Sequence, residues 1–305
     1  MRFKLILALI TILLFAASCS NILNKGSISS GKGLVVNLLT SPNIQGETLN
    51  ENEGFTVIVD VFNYLTSPIQ GRICLRDKMT DSFGGVLSGS ENCDNLNLDP
   101  AESFEDNKKL FPDQITFDFP LAGEYRYNNL DIISLDNQLF VDLFYELETQ
   151  NTGTACVERR GLNKCEASQN LNLQSQDVPL DVKSIVASPS YRSNEIILNT
   201  IITLSKKEQG EILTPGSILD PSFGTDQKIR LDVEIDRQPA DCQSLVSGYI
   251  EFKKGQNEKV IKCSSSVRVP LEYESIPVTV KMEYGFQKII EGPKFSLKKE
   301  SELIA

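Results

Sequence analysis

Ile229-Arg230-Leu231-Asp232-Val233-Glu234-Ile235-Asp236 puts four aliphatic side chains at alternate positions and a charged one after each. Successive side chains of an extended chain point to opposite faces, so this octet has one dry and one wet face. That pattern belongs to a strand in an antiparallel sheet packed on one side. Phe55-Thr-Val57-Ile-Val59-Asp-Val61 and Val278-Thr-Val280-Lys-Met282-Glu-Tyr284 follow the same rule. Ser67-Pro68, Gly84-Gly85, Pro189, Pro215-Gly216 and Gly292-Pro293 are expected to be the turns between such strands. No long helical period competes, and the expected class is all-β.

The pattern repeats within the chain. Leu139, Val141, Leu143, Tyr145 and Leu147 align with Val278, Val280, Met282, Tyr284 and Phe286. Each set is followed by a further alternating stretch, Asn170-Leu-Asn-Leu-Gln174 in the first copy and Lys294-Phe-Ser-Leu-Lys298 in the second. Two tandem immunoglobulin-like antiparallel β-sandwich domains follow from this repeat, over residues 33–175 and 178–300. A chain of 305 residues, 40% hydrophobic and 23% charged, has room for both.

The start of the chain reads as an export signal. Arg2 and Lys4 precede a predominantly apolar run from Leu5 to Ala17, too short for the roughly 20 apolar residues of a membrane-spanning helix. Ala16-Ala17-Ser18-Cys19 resembles the lipobox of prokaryotic lipoproteins, with Ala16 in place of the usual Leu; the resemblance implies a signal peptide over 1–18 and a lipid on Cys19. Ordinary cleavage near Ala17 or Ser18 is the alternative. The Ser-, Gly- and Asn-rich segment 19–32 reads as a flexible tether.

Seven cysteines less Cys19 leave an even set, as expected of an exported chain. They fall into three local couples, Cys74 with Cys93, Cys156 with Cys165 and Cys242 with Cys263, and these are the expected disulfides. No Cys-x-x-Cys motif is present, which speaks against zinc ribbons and thioredoxin-like redox sites.

Tyr145-Glu-Leu-Glu-Thr149 leading into Ala155-Cys156-Val157, with Cys165 after it and the strand from Val278 to Phe286, resembles a pattern in uncharacterised exported lipoproteins of archaeal type. Those proteins carry tandem immunoglobulin-like, adhesion-related sandwiches behind a membrane anchor. The resemblance implies an envelope location and a fold, and no particular activity.

Composition narrows the chemistry. The chain has no His, so imidazole-dependent serine and cysteine triads and His-ligated zinc or iron sites are excluded. A formal charge of −11, which grows more negative once Arg2 and Lys4 are removed, argues against nucleic acid as a partner. Gly26-Ser-Ile-Ser-Ser-Gly31-Lys32 imitates a phosphate-binding loop, yet Gly33 stands where Ser or Thr is required and no helix pattern follows. Neither nucleotide nor any other cofactor is expected.

Asn95-Leu-Asn97-Leu-Asp99-Pro100 has the oxygen spacing of a calcium loop, but Pro100 occupies the position that needs Gly, so it reads as a strand with polar residues outward and no metal site. The acidic group Asp99, Glu102, Glu105 and Asp106 reads as a solvated loop, with weak calcium binding as its alternative. Paired carboxylates for glycoside hydrolysis are a third-ranked reading, since 41 acidic residues always supply some pair.

Two features remain as candidate interaction surfaces. Arg159, Arg160 and Lys164 lie between Cys156 and Cys165, a basic loop on an acidic chain; Phe140 and Phe144 stand opposite the apolar set of their strand. A solvated turn is the alternative for the loop, and burial beneath a neighbouring segment is the alternative for the phenylalanines. The expected protein is not an enzyme. It is a binding or structural module, held at the membrane by its N-terminal lipid and facing an envelope protein partner; an accessory subunit of a membrane or appendage complex is the alternative.

Overall fold

The computed structural model describes residues 33–299 apart from 80, 88–91, 104–109, 132, 175, 193–194 and 219–226. The leader, Cys19, the tether and the Gly26–Lys32 segment lie outside the described residues, as do Glu105, Asp106 and Ser175.

The first half of the chain contributes β1 (Leu34–Ser41), β2 (Thr48–Asn50), β3 (Gly54–Asn63), β4 (Ile69–Arg76), β5 (Cys93–Leu98), β6 (Glu102–Ser103), β7 (Leu110–Phe111), β8 (Asp113–Phe119), β9 (Tyr125–Arg126), β10 (Ser134–Glu158) and β11 (Gln169–Asn170). The second half contributes β12 (Leu180–Tyr191), β13 (Ile196–Lys206), β14 (Glu211–Leu213), β15 (Lys228–Ile235), β16 (Gln238–Pro239), β17 (Asp241–Gln243), β18 (Tyr249–Glu251), β19 (Glu258–Val267) and β20 (Tyr273–Lys298). The described residues contain no α-helix, and Asp81–Phe83 form a 3₁₀ turn. The protein is all-β.

Its layers are sandwiched around one long ladder. β10 and β20 pair antiparallel along their whole length, from Ser134 opposite Lys298 to Glu158 opposite Tyr273. The sheet built on them runs β16-β15-β20-β10-β4-β5, with β2, β14 and β18 joined at its margins. A sheet of β1-β3-β8, with β9 attached to β3, covers one end of the ladder's buried face, and β11-β12-β13-β19-β17 covers the other. The packing shows in specific contacts. The rings of Phe55 on β3 and Phe295 on β20 are 6.2 Å apart, and Asn151 on β10 donates from Nδ2 to the Asp181 carboxylate on β12 at 3.1 Å.

The odd-numbered residues of β10 face this core. Leu139, Val141, Leu143, Tyr145 and Leu147 are buried beneath the first covering sheet, and Thr149, Asn151, Ala155 and Val157 continue the same face toward the second. The aligned residues Val278, Val280, Met282, Tyr284 and Phe286 are buried too. The repeat visible in sequence therefore marks two strands that pair with each other: Tyr145 lies opposite Phe286 and Leu147 opposite Tyr284.

Three expectations about strand ends change. Gly292-Pro293 lies within β20, at the register shift between Gln138 and Phe140 of its partner. Such a bulge absorbs the extra residue without ending the strand. A Cβ on Gly292 would stand 3.0 Å from Leu38 Cδ1 and 3.1 Å from the Leu139 carbonyl oxygen, so any larger residue would have to displace these neighbours by a few tenths of an ångström. Pro189 lies inside β12, beyond the reach of the short β11, where no neighbour on that side requires its missing N–H. The two stretches that follow the repeat are also not equivalent. Residues 294–298 continue β20, whereas Gln169 and Asn170 pair with β12 in a different sheet.

Where the two covering sheets meet over the ladder, charge is buried. Lys288 on β20 places its ammonium 2.8 Å from the Glu208 carboxylate. Asp181, almost fully buried, holds Lys207 at 2.6 Å. The Tyr284 hydroxyl donates to the Leu180 carbonyl at 3.1 Å and accepts from the Leu180 amide at 3.2 Å. Burial lifts the hydroxyls of Tyr145 and Tyr284 well above the usual phenol range.

Candidate functional site

All three disulfides are present in the expected couples. Cys74–Cys93 and Cys242–Cys263 each join directly opposed residues of neighbouring strands, β4 with β5 and β17 with β19, and so clamp edge strands within a sheet. Cys156–Cys165 closes the loop that follows β10.

That loop is folded back by its own polar groups. The Glu158 carboxylate, buried at the end of β10, accepts the amides of Lys164 at 2.5 Å and Cys165 at 3.1 Å. The Gln169 side-chain amide donates to the Cys156 carbonyl and accepts from its amide, both at 2.7 Å, copying a strand neighbour at the edge of β10. Gly161 and Asn163 take the positive φ values that the tight return requires. Arg159, Arg160 and Lys164 are left exposed.

The loop is joined to the connection between β19 and β20, which the sequence reading did not single out. The Arg159 amide donates to the Glu272 carbonyl at 2.7 Å. The Lys164 ammonium lies 3.3 Å from the Glu272 carboxylate and 5.1 Å from the centre of the Tyr273 ring. Leu271 is 92% exposed and Tyr273 56%, with Val269 and Leu162 each about two-fifths exposed beside them. One end of the ladder thus presents apolar side chains from both halves of the chain among arginines and a lysine. Tyr191, at the end of β12, sits close enough that the Glu158 charge adds to burial in raising its hydroxyl pKa. The signal available in sequence was Val269-Pro-Leu271-Glu-Tyr273, whose alternation reads as the start of a core strand; the loop geometry turns it outward.

Phe140 and Phe144 are on the outer face of the long sheet, both half-buried. The Arg76 guanidinium lies 4.6 Å and the Lys78 ammonium 5.8 Å from the centre of the Phe140 ring. Arg76 also pairs with the buried Asp142 at 2.5 Å, which fixes it in that position. Phe144 and Arg159 are separated along β10 by roughly 50 Å at the usual rise of a strand, so the loop and the phenylalanines form separate surfaces.

Asn95 and Asn97 point outward from β5 while Leu96 and Leu98 are buried. The Asp77 carboxylate accepts from the Met79 and Val86 amides, the Tyr127 hydroxyl and the Asn137 amide. It is saturated by these donors. A cavity of about 190 Å³ between Lys206, Ile212 and Phe252 contains one carboxylate, Glu211, which pairs with Lys254 at 3.2 Å. Comparison with known proteins gave no match, whether to a family model, a curated protein or a solved structure.

Proposed function

We propose that this chain is an exported, envelope-anchored binding or structural module without enzymatic activity, built of two immunoglobulin-like sandwiches and held at the membrane by a lipid on Cys19. The observation that carries this reading is the loop end of the β10–β20 ladder, where Arg159, Arg160 and Lys164 stand exposed on a disulfide-closed loop tied to Glu272 and Tyr273, next to the exposed Leu271. A closed loop has less conformational freedom to lose on binding.

Each half supplies a three-stranded sheet, β1-β3-β8 or β12-β13-β19, and a facing pair, β4 with β10 or β15 with β20. On this reading each sandwich takes its last edge strand from the other half of the chain, through the full pairing of β10 and β20. The cross-strand disulfides differ from the inter-sheet bridge of antibody domains, so the likeness is one of strand order. Three disulfides suit an oxidising, exported setting.

The test is association with isolated cell envelopes. A chain carrying Cys19→Ala, which removes any covalent lipid, is expected to bind them, and Arg159→Glu/Arg160→Glu is expected to reduce binding while leaving the thermal midpoint unchanged. Equal binding by the double variant would remove the loop from the account.

A further inference from the structure

We propose that the loop end of the ladder docks on an anionic phospholipid surface, inserting Leu271 and its apolar neighbours among the headgroups while the arginines meet the phosphates. This deepens the reading above and rests on it: the module is at the envelope, and its exposed end contacts lipid.

Leu162 on one loop, Val269 and Leu271 on the adjoining one and Tyr273 at the start of β20 are each at least two-fifths exposed. A protein partner would need a matching concavity for each of them. The interfacial zone of a bilayer accepts separate aliphatic and tyrosine side chains without one. Leu271, at 92%, is the most exposed large hydrophobic side chain among the described residues.

The charges suit such a surface. Arg76, Arg126, Arg192 and Arg230 each pair with a carboxylate. Among the described residues, Arg159, Arg160 and Arg268 at this end form no ion pair and are exposed, as is Arg237 in the turn after β15. Lys164 is balanced by Glu272 and Glu195 by Arg192, Glu166 and Glu274 are further exposed acids at this end, and Glu158 is buried beneath the loop. The end is therefore free of the acidic excess that makes the whole chain −11. Screening over about 8 Å at physiological ionic strength hides most of the acidic body, which extends several times that distance behind the loops, from a membrane touching the tip.

The chain contains no tryptophan, so Leu271→Trp supplies a single reporter. In the full chain with Cys19→Ala, its emission should shift to the blue and be quenched by brominated lipid on adding vesicles of equal parts phosphatidylglycerol and phosphatidylcholine. Vesicles of phosphatidylcholine alone should give a weaker response. Arg159→Glu/Arg160→Glu should weaken binding to the mixed vesicles by about thirtyfold or more, since each cation lost at a charged membrane surface costs about 1 kcal/mol. Val269→Ser/Leu271→Ser, followed by co-sedimentation, should lose binding with an unchanged thermal midpoint. Emission that stays water-exposed with both vesicle types, or equal binding by the Glu variant, overturns the lipid assignment. Loss of envelope binding in that variant, with no vesicle response in the parent, would leave the loop as a protein-binding surface and overturn only the lipid.

Discussion

Glu208→Leu tests whether the charge buried between the two covering sheets holds the ladder in place. The Lys288 ammonium is 2.8 Å from the Glu208 carboxylate, and the two side chains are 9% and 18% exposed. Lys288 has one further contact, the Leu34 carbonyl at 3.4 Å. Removing Glu208 leaves a cation with most of its water gone and one long hydrogen bond. Breaking a buried pair on one side costs about 3 to 5 kcal/mol, and the residual exposure of Glu208 puts this case near 3. Lys288→Met/Glu208→Leu removes both charges and is expected within about 1 kcal/mol of the parent, because neither desolvation cost is then incurred. The coupling between the two sites should accordingly be about 2 kcal/mol or more in a double-mutant cycle. An exposed pair such as Arg230–Glu283, with side chains 50% and 41% exposed, should give under about 1 kcal/mol in the same assay. Urea unfolding followed by circular dichroism reads the parent, both single variants and the double variant, and the thermal midpoint of Glu208→Leu should fall by about 5 °C for a chain of this size. A loss below about 1 kcal/mol for Glu208→Leu, equal to that of the surface pair, would refute the argument that this junction is held by buried charge.

Gly71→Ala would push a methyl group against the Phe144 carbonyl and the Tyr145 backbone, where β4 meets β10; a loss of about 2 to 3 kcal/mol is expected from urea unfolding. Cys156→Ala/Cys165→Ala should cost at most about 3 kcal/mol, because the closed loop is short, and limited proteolysis should newly cleave between Arg159 and Lys164. The hydroxyls of Tyr127, Tyr145 and Tyr284 are raised, chiefly by burial, above the phenol value of 10.0. The unfolded chain therefore loses those protons first: their contribution is intact below about pH 10 and declines above it by up to roughly 4 kcal/mol per pH unit for three groups. A spectrophotometric titration should show these three phenolates only as the protein unfolds, and ionisation of all eight tyrosines in the folded state would contradict it.

What the sequence by itself determined is local. Alternation along Ile229–Asp236, Phe55–Val61 and Val278–Tyr284 requires strands with one dry face, because the side-chain period of an extended chain is two. Three couples of nearby cysteines were enough to assign the bridges, since each closes a short loop. The exposure of Arg159 and Arg160 also followed from charge and the adjacent disulfide. Tertiary structure decided everything that depends on which strand lies beside which. Leu139–Leu147 and Val278–Phe286 look like equivalent strands of separate domains, and alternation carries no information about partners; only the register shows that they pair with each other. Gly292-Pro293 reads locally as a stop, but a neighbour that shifts register lets the strand continue through it. Val269-Pro-Leu271-Glu-Tyr273 reads as core, yet it stands outside because the ladder ends there and no sheet remains to cover it.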